Sequence, residues 1–395
     1  MKIVFDREAL IEAMTPAMSA VSEKNTITQL EGILFTTEGS GRCILSSYDL
    51  EKGYRCAVEA RVLEQGSFII NAAKLFRMVK MMPESDVKIE VNDRFQTKIS
   101  SGNSIFSLSA MPGADFPKLP DLEGENGVEL PQRLLKKMLG QVQHAIALTD
   151  QRPIFSGAYF CFENDTLRIV ACDGNRLALR EKKCDLKFDE SVEELSFIVP
   201  GKTLSELTKM LSTDEEETVK LQFGRKHVIF KMGENVFFSR LIEGKYIDYQ
   251  RVIPKNNNIK AEFDREELID CLERVSLVTE DKSIGQIRGY VKCVFEGDTL
   301  KVSSASSVSS VFDELPIRKT GEDITIGFNC RFLLDALRVI EEERVRFSLA
   351  TPLMSILIEK AEKEEDEEEE ESKDGEKKED DGRYLYVVSP VKMKE

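Results

Sequence analysis

Apolar residues recur at helical spacing near the start of the chain, as Leu10, Ile11, Met14, Met18 and Val21. This predicts an amphipathic helix. The alternating segment KIVFD before it reads as a strand running straight into that helix. Asp6 stands where a side-chain oxygen can accept the first free helical amides, and Phe5 with Leu10 fits a hydrophobic staple. The pattern returns at 260–272, where KAEFDREELIDCL matches KIVFDREALIEAM (2–14) with Asp264, Phe263 and Leu268 in the same places. Glu267 adds a capping-box acid. A further version, GVELPQRLLKKML (127–139), keeps Leu130 and Leu135 but has Pro131 where the cap would be.

A second helix recurs at a spacing of 129 residues, in SFIINAAKLFRMVKMMP (67–83), SFIVPGKTLSELTKML (196–211) and ITIGFNCRFLLDALRVI (324–340). Leu75, Leu204 and Leu333 keep one register, Met82, Leu211 and Ile340 another, and Lys80, Lys209 and Arg338 a third. Strand-like runs follow every helix. The repeating unit is therefore helix, strands, helix, strands, present three times. The predicted fold is α+β, with three similar domains at 1–122, 128–253 and 258–395, each placing two helices on antiparallel sheets. The Pro-, Gly- and Asn-rich segments 116–127 and 253–260 read as linkers.

The chain of 395 residues is 41% hydrophobic, enough for several cores, and no apolar run reaches the roughly 20 residues of a membrane span. The N-terminus MKIVFDREAL has charges where a signal peptide would be apolar. Eight scattered cysteines (43, 56, 161, 172, 184, 271, 293, 330) form no CxxC pair and only two histidines are present, so reduced thiols of a cytoplasmic protein are expected, without a zinc cluster. Of the net charge of −16, the segment 360–381 alone supplies −9. That run cannot bury apolar surface and reads as a solvated, disordered insert between two strands of a hairpin, LMSILIEK and YLYVVSP.

No GxxxxGK[ST] or GxGxxG loop is present, so nucleotide binding has no support and no cofactor is expected. Asp115 and Asp121 could be drawn into a metal site, but carboxylates are plentiful here and no metal or catalytic residue is assigned. CDGNRLAL (172–179) reads as a tight turn with Asp173 and Gly174 at its tip. The helix faces carry more. Lys74, Arg77 and Lys80 share one side of the first copy, Lys202 and Lys209 of the second, Arg331 and Arg338 of the third. For one helix an ordinary solvated face is the simplest account. Three copies in register point instead to cations facing something negative, suited to phosphate contact without base readout. With no Trp, a single-strand stacking groove is disfavoured.

The segments FSLSAMPGADFPKLP (106–120), VACDGNRLAL (170–179), DYQRVIPKN (248–256), IGFNCRFLLDAL (326–337) and YVVSPVK (386–392) together resemble the bacterial sliding clamps, the beta subunits of DNA polymerase III. The resemblance covers the chain except the acidic insert. It implies a non-enzymatic processivity factor: a DNA-clamp fold in which a head-to-tail homodimer closes a ring of six similar units around double-stranded DNA. It implies helices lining the pore, with Lys24 in the loop after the first helix joining the cations named above. An acidic exterior is compatible with a positive bore. The replicative polymerase, the clamp loader and repair proteins are the implied partners. The 149–154 loop lacks the aromatic residues the family has near DNA.

Ring closure in the family joins an edge strand of the first domain to one of the third. Here these would be Ser104–Ser109, with Ile105, Phe106 and Ser107, and roughly Val302–Phe312, with Phe106 packing near Leu277 and Val278. Ile105 and Ser309 stand where the family often has charges. The resemblance also implies a peptide-binding pocket between the middle and last domains. Its middle-domain residues would be Arg152, Phe155, Cys172, Gly174, Asn175, Arg176, Leu177, Ile247, Arg251 and Val252. The last domain would add Asn329, Phe332, Leu353, Ser355, Val387, Ser389, Pro390 and Val391. Cys172, Asn175, Ile247 and Ser389 depart from the usual Thr, His, Pro and Met. Without the resemblance, Leu177, Val252 and Val387 would read simply as strand core. Two alternatives stand beside the clamp: a scaffold of the same fold that no longer encircles DNA, and a metal-dependent nuclease.

Overall fold

The computed structural model describes all residues except 23–25, 121–125, 164, 184–193, 225, 280–289, 307–308, 362–381 and 394–395. Lys24, Asp121, Cys184 and nearly all of the acidic segment therefore lie outside the described residues.

The first copy of the repeat opens with β1 (Lys2–Asp6), α1 (Arg7–Ala17), β2 (Gly32–Glu38), β3 (Arg42–Tyr48) and β4 (Lys52–Glu64). It continues with β5 (Ser67–Asn71), α2 (Ala72–Lys80), β6 (Asp86–Val91), β7 (Gln96–Ser101) and β8 (Ser104–Pro112). The second copy has the same order: β9 (Asn126–Pro131), α3 (Gln132–Val142), β10 (Gly157–Glu163), β11 (Thr166–Cys172) and β12 (Arg176–Lys183). Its second half is β13 (Glu194–Pro200), α4 (Gly201–Met210), β14 (Thr218–Phe223), β15 (His227–Met232) and β16 (Asn235–Arg240). The third copy begins β17 (Ile259–Asp264), α5 (Arg265–Thr279), β18 (Val291–Glu296), β19 (Thr299–Ala305) and β20 (Ser310–Pro316). After an extra short strand, β21 (Arg318–Thr320), come β22 (Ile324–Phe328), α6 (Cys330–Leu337), β23 (Arg344–Leu349), β24 (Ile356–Lys360) and β25 (Arg383–Val388).

The helix starts follow the expected local chemistry. The Asp6 carboxylate accepts from the amides of Glu8 and Ala9, both at 3.0 Å, and Asp264 accepts from Glu267 at 2.9 Å. In the second copy Pro131 closes the strand instead. The Gln132 side chain accepts from the Ser212 amide at 2.8 Å and donates to the Thr218 carbonyl at 3.1 Å. It thereby fastens the helix start to the chain around β14. Asn71 and Asn329 cap α2 and α6 through their side-chain oxygens. Leu10, Met14, Leu75 and Val79 are buried on the inner faces of α1 and α2.

Two compact units emerge, and they do not follow the sequence repeat. One comprises Met1–Lys136 with Lys202–Leu241; the other comprises the described residues of Lys137–Asp185, Glu193–Gly201 and Ile242–Glu395. Main-chain pairing is the reason: the ladders run from one copy into the next. In the first unit a 12-stranded sheet runs β1-β6-β7-β8-β5-β2-β3-β4-β16-β15-β14-β9, and β1 also pairs with β4. The eight strands of the first copy thus form a closed circuit, to which the second copy adds β16. The junction places Gly53 opposite Phe238 and Tyr54 opposite Phe237. Phe238 packs with Leu30, Tyr48, Ile69, Phe116 and Ile229.

In the second unit a 9-stranded sheet runs β13-β10-β11-β12-β25-β24-β23-β17-β21, beside a 4-stranded sheet β20-β19-β18-β22. Here β12 of the second copy pairs with β25 of the third, Leu177 opposite Val387. β24 and β25 are an antiparallel hairpin, Leu357 opposite Val387, so the acidic segment interrupts a hairpin as its flanking sequence indicated. The expected edge strand Val302–Phe312 is instead the end of β19 and the start of β20, which pair antiparallel with Ala305 opposite Ser310. The Ser306 amide donates to the Ser309 carbonyl at 2.8 Å. No helix among the described residues is long and apolar enough to cross a membrane.

A Cβ built at Gly53 would overlap the buried ring of Phe238. Gly53→Ala is therefore expected to destabilise the β4–β16 junction by about 1–3 kcal/mol, read as a lowered midpoint in urea denaturation. An unchanged midpoint would show that the junction can yield.

Candidate nucleic-acid interface and peptide pocket

Residue spacing on the three second helices puts their cations on the solvent side. Lys74, Arg77 and Lys80 on α2, Lys202 and Lys209 on α4, and Arg331 and Arg338 on and just after α6 are all exposed, opposite buried Leu75, Leu204 and Leu333. Their neighbours differ. The Lys80 ammonium lies 4.2 Å from the Phe76 ring centre, and α2 contains no acid. Lys209 pairs with Glu206 at 2.9 Å, Arg338 with Glu273 of α5 at 2.8 Å, and Arg331 approaches Asp335 at 3.7 Å. Such exposed pairs are weak and exchange readily for another anion.

The β11–β12 turn forms as predicted. Asp173 accepts from the amides of Asn175 at 2.9 Å and Arg176 at 3.0 Å, and Gly174 takes φ +90, a conformation that favours glycine. Pairing of β12 with β25 sets this turn beside the last strand: the Ser389 amide donates to the Asn175 carbonyl at 2.9 Å, and the Val391 amide to the Gly327 carbonyl at 2.8 Å. The hydroxyls of Ser355 and Ser389 are 3.2 Å apart.

Two arginine–phenylalanine stacks flank the turn. Arg152 lies 4.1 Å over the Phe155 ring and is held by both oxygens of Asp150, at 3.1 and 3.2 Å. Those bonds hold the Asp150 carboxyl below its usual range. A Cβ at Gly174 would come within 3.3 Å of the Arg152 Nη2, so the stack abuts the turn. Arg176 lies 4.4 Å over the Phe332 ring, its Nε 3.0 Å from Asp173 and its Nη1 2.7 Å from Asp335.

Phe155, Cys172, Leu177 and Val387 share one buried cluster, with Ile247 against its edge. Burial pushes the Cys172 thiol up. Leu177 and Val387 are strand core, as the simpler account held, but Val252 is not: it follows a short helical turn and is 43% exposed. Leu353 is 78% exposed. Arg251 pairs with Asp248 at 2.8 Å and is also exposed. These three are not brought into the cluster. The sequence reading missed Tyr246 and Tyr249, which pack in the same cluster, with Tyr159 stacked on Tyr246 at 5.0 Å. It also missed Asp335. The i, i+4 spacing from Arg331 was legible, but nothing in the sequence aimed Asp335 at Arg176.

The edges named for ring closure are open among the described residues. β8 pairs with β7 over Ser104–Ser109 and reaches β5 only at Ala110–Pro112, while β20 pairs with β19 alone. Ile105 is 59% and Phe312 63% exposed. On α5, Leu277 is exposed and Val278 half-buried; Phe106 is half-buried and Ser107 exposed. Among the described residues no group of three His, Cys, Asp or Glu could hold a metal ion.

Family profiles of the DNA polymerase III beta subunit match throughout: its N-terminal domain at residues 1–120, its central domain at 129–248 and its C-terminal domain at 250–371. The beta sliding clamp of Bacillus subtilis is 30% identical over 370 residues, covering 91% of this chain and 95% of that protein. That of Staphylococcus aureus is 29% identical, covering 87% and 92%. The crystal structure of the Bacillus subtilis sliding clamp superposes with a TM-score of 0.89 at 26% identity, over 100% of both chains. A Pseudomonas aeruginosa sliding clamp bound to griselimycin gives 0.86 at 28%, again over 100% of both.

His144 supplies a pH test of the second unit. Its ring lies 5.5 Å from that of Tyr386, its Nδ1 is buried without a partner among the described residues, and burial followed by the Arg176 charge lowers its pKa to about 4. The unfolded chain takes up this proton near pH 6.5 while the folded one refuses it until about pH 4. Stability therefore falls as pH drops through that window, by about 3 kcal/mol in full. His144→Gln should flatten this part of the pH dependence in urea titrations at stepped pH; a slope equal to wild type would contradict it.

Proposed function

This chain belongs to the beta sliding clamp family, the beta subunits of DNA polymerase III, and is a non-catalytic processivity clamp; on that premise we propose how its own residues carry out the task. Two copies join head to tail and close a ring around duplex DNA, within which the domains run over 1–122, 128–253 and 258–395. The observation that carries the reading is the exposed cation repeated in register on α2, α4 and α6. Lys74, Arg77, Lys80, Lys202, Lys209, Arg331 and Arg338, with Lys24, meet phosphates from inside the ring. Contacts of this kind are diffuse and independent of sequence, so they hold DNA without fixing its position. The ring, once closed, prevents escape.

The closing contact is strand addition between β8 of one copy and β20 of the other. The support is that, among the described residues, both edges are open and carry exposed apolar side chains at Ile105 and Phe312, with Leu277 exposed on α5. The cluster around Phe155, Cys172, Leu177 and Val387, framed by the two Arg–Phe stacks, is the pocket for short peptides of the polymerase, the clamp loader and repair proteins. Asn329, Ser355, Pro390, Val391, Arg251, Val252 and Leu353 form its rim. A cytoplasmic location accords with the buried thiols of Cys43, Cys56, Cys161, Cys172, Cys271, Cys293 and Cys330, which form no disulfide among the described residues.

Loaded onto nicked circular DNA by the clamp loader, the protein should stay bound through gel filtration and be lost when the circle is cut. Equal retention on circular and linear DNA would refute encirclement. Reversing the charge of Lys80, Lys209 and Arg338 together should lower retention on circles at least ten-fold at low salt while peptide binding persists; a protein acting purely as a scaffold would keep both activities.

A further inference from the structure

Asp335 faces two cations that belong to different surfaces. One oxygen, Oδ2, is 2.7 Å from Arg176 Nη1 and 3.7 Å from Arg331 Nε. Arg176 is nearly buried, at 12% side-chain exposure, and lies on Phe332 in the peptide pocket; Arg331 is 77% exposed on α6. One carboxylate oxygen is thus divided between a pocket wall and a phosphate-facing helix. We propose that Asp335 is a positioning residue that couples peptide binding to DNA occupancy, an inference that rests on the pocket and bore assigned above.

The physical argument is electrostatic competition at a single oxygen. Asp335 and Asp173 together neutralise Arg176 and keep its guanidinium over the Phe332 ring, which shapes the wall that a peptide meets. Arg331, although farther away, draws part of the same negative charge. When DNA phosphates occupy Arg331 they satisfy that cation from the solvent side, and Asp335 is left to Arg176 alone. The wall is then held more firmly, and the peptide pays less to order it. By linkage, peptide in the pocket favours phosphate at Arg331 by the same factor. The Arg331 contact is exposed, so the coupling is small: about two- to five-fold in affinity. Asp335 supplies the shared two-state contact that such coupling requires.

The experiment measures the affinity of a fluorescent peptide, carrying a hydrophobic motif taken from the polymerase subunit, for the full-length protein free and loaded on nicked circular DNA with the loader removed. Wild type should bind the peptide about two- to five-fold more tightly when loaded. Arg331→Gln should bind it, while free, as tightly as the loaded wild type, and gain nothing on loading. Asp335→Asn should bind more weakly and show no difference between the two states, with Asp335→Glu restoring part of both. A merely structural role for Asp335 would weaken binding yet leave the loaded-to-free ratio intact, and that result would overturn the proposal. So would a ratio of one in wild type, or an unchanged ratio in Arg331→Gln, a fully surface position where folding is not at issue. If wild type bound no peptide in either state, the pocket assignment would fail and take the coupling with it.

Discussion

Antiparallel pairing between one copy of the repeat and the next is the constraint on which the other features depend. β4 hands the first copy's sheet to β16, and β12 hands the second copy's half-sheet to β25. Each ladder satisfies backbone groups that a terminal strand would leave open. Each also fixes register, because a slip of one residue would turn every buried side chain outward. At β12–β25 that register determines which residues meet. Leu177 faces Val387, the Asn175 carbonyl receives the Ser389 amide, and Arg176 reaches across to Asp335 on α6. The buried cluster around Leu177 and Val387 is a by-product of a sheet junction.

Much of this was legible because the signals were local and repeated. The N-cap acids Asp6 and Asp264, the turn at Asp173–Gly174 and the hairpin around the acidic segment each depend on a few neighbouring residues whose chemistry admits one arrangement. The register of Lys80, Lys209 and Arg338 was readable for the same reason. What escaped were choices made by long-range packing. Nothing near Asp335 in sequence announces Arg176, and Tyr246 and Tyr249 enter the buried cluster where β10 and β11 bring Tyr159 and Val170 together. The edge strand Val302–Phe312 was misjudged because the sequence SSASSVSS reads as the continuation of one strand, whereas β19 ends at Ala305 and β20 begins at Ser310. Val252 was placed in the pocket by the resemblance and would otherwise read as strand core, yet it follows a short helical turn and is exposed.

The three copies have also diverged where the repeat is most regular. α2 carries three cations and no acid, whereas Lys209, Arg331 and Arg338 each have a carboxylate within reach. The fold keeps the position of the cation and varies its partner. A helix face can therefore be retained for one purpose, the display of positive charge, while its neighbours adjust how strongly that charge is felt outside the protein.

The β12–β25 pairing has a consequence for synthesis. Leu177 and Val387 are neighbours in the sheet, but most of the second and third copies lies between them along the chain. Contacts separated this far form late, since the intervening segment must be ordered before closure gains anything. The first copy can complete its circuit of eight strands while the remainder is still being translated. The buried cluster around Leu177 cannot, because β25 supplies its Leu385 and Val387. A chain that stops short of β25 would hold folded sheet and helix and yet lack one side of that cluster, so its completion also certifies that translation has run through the last strand.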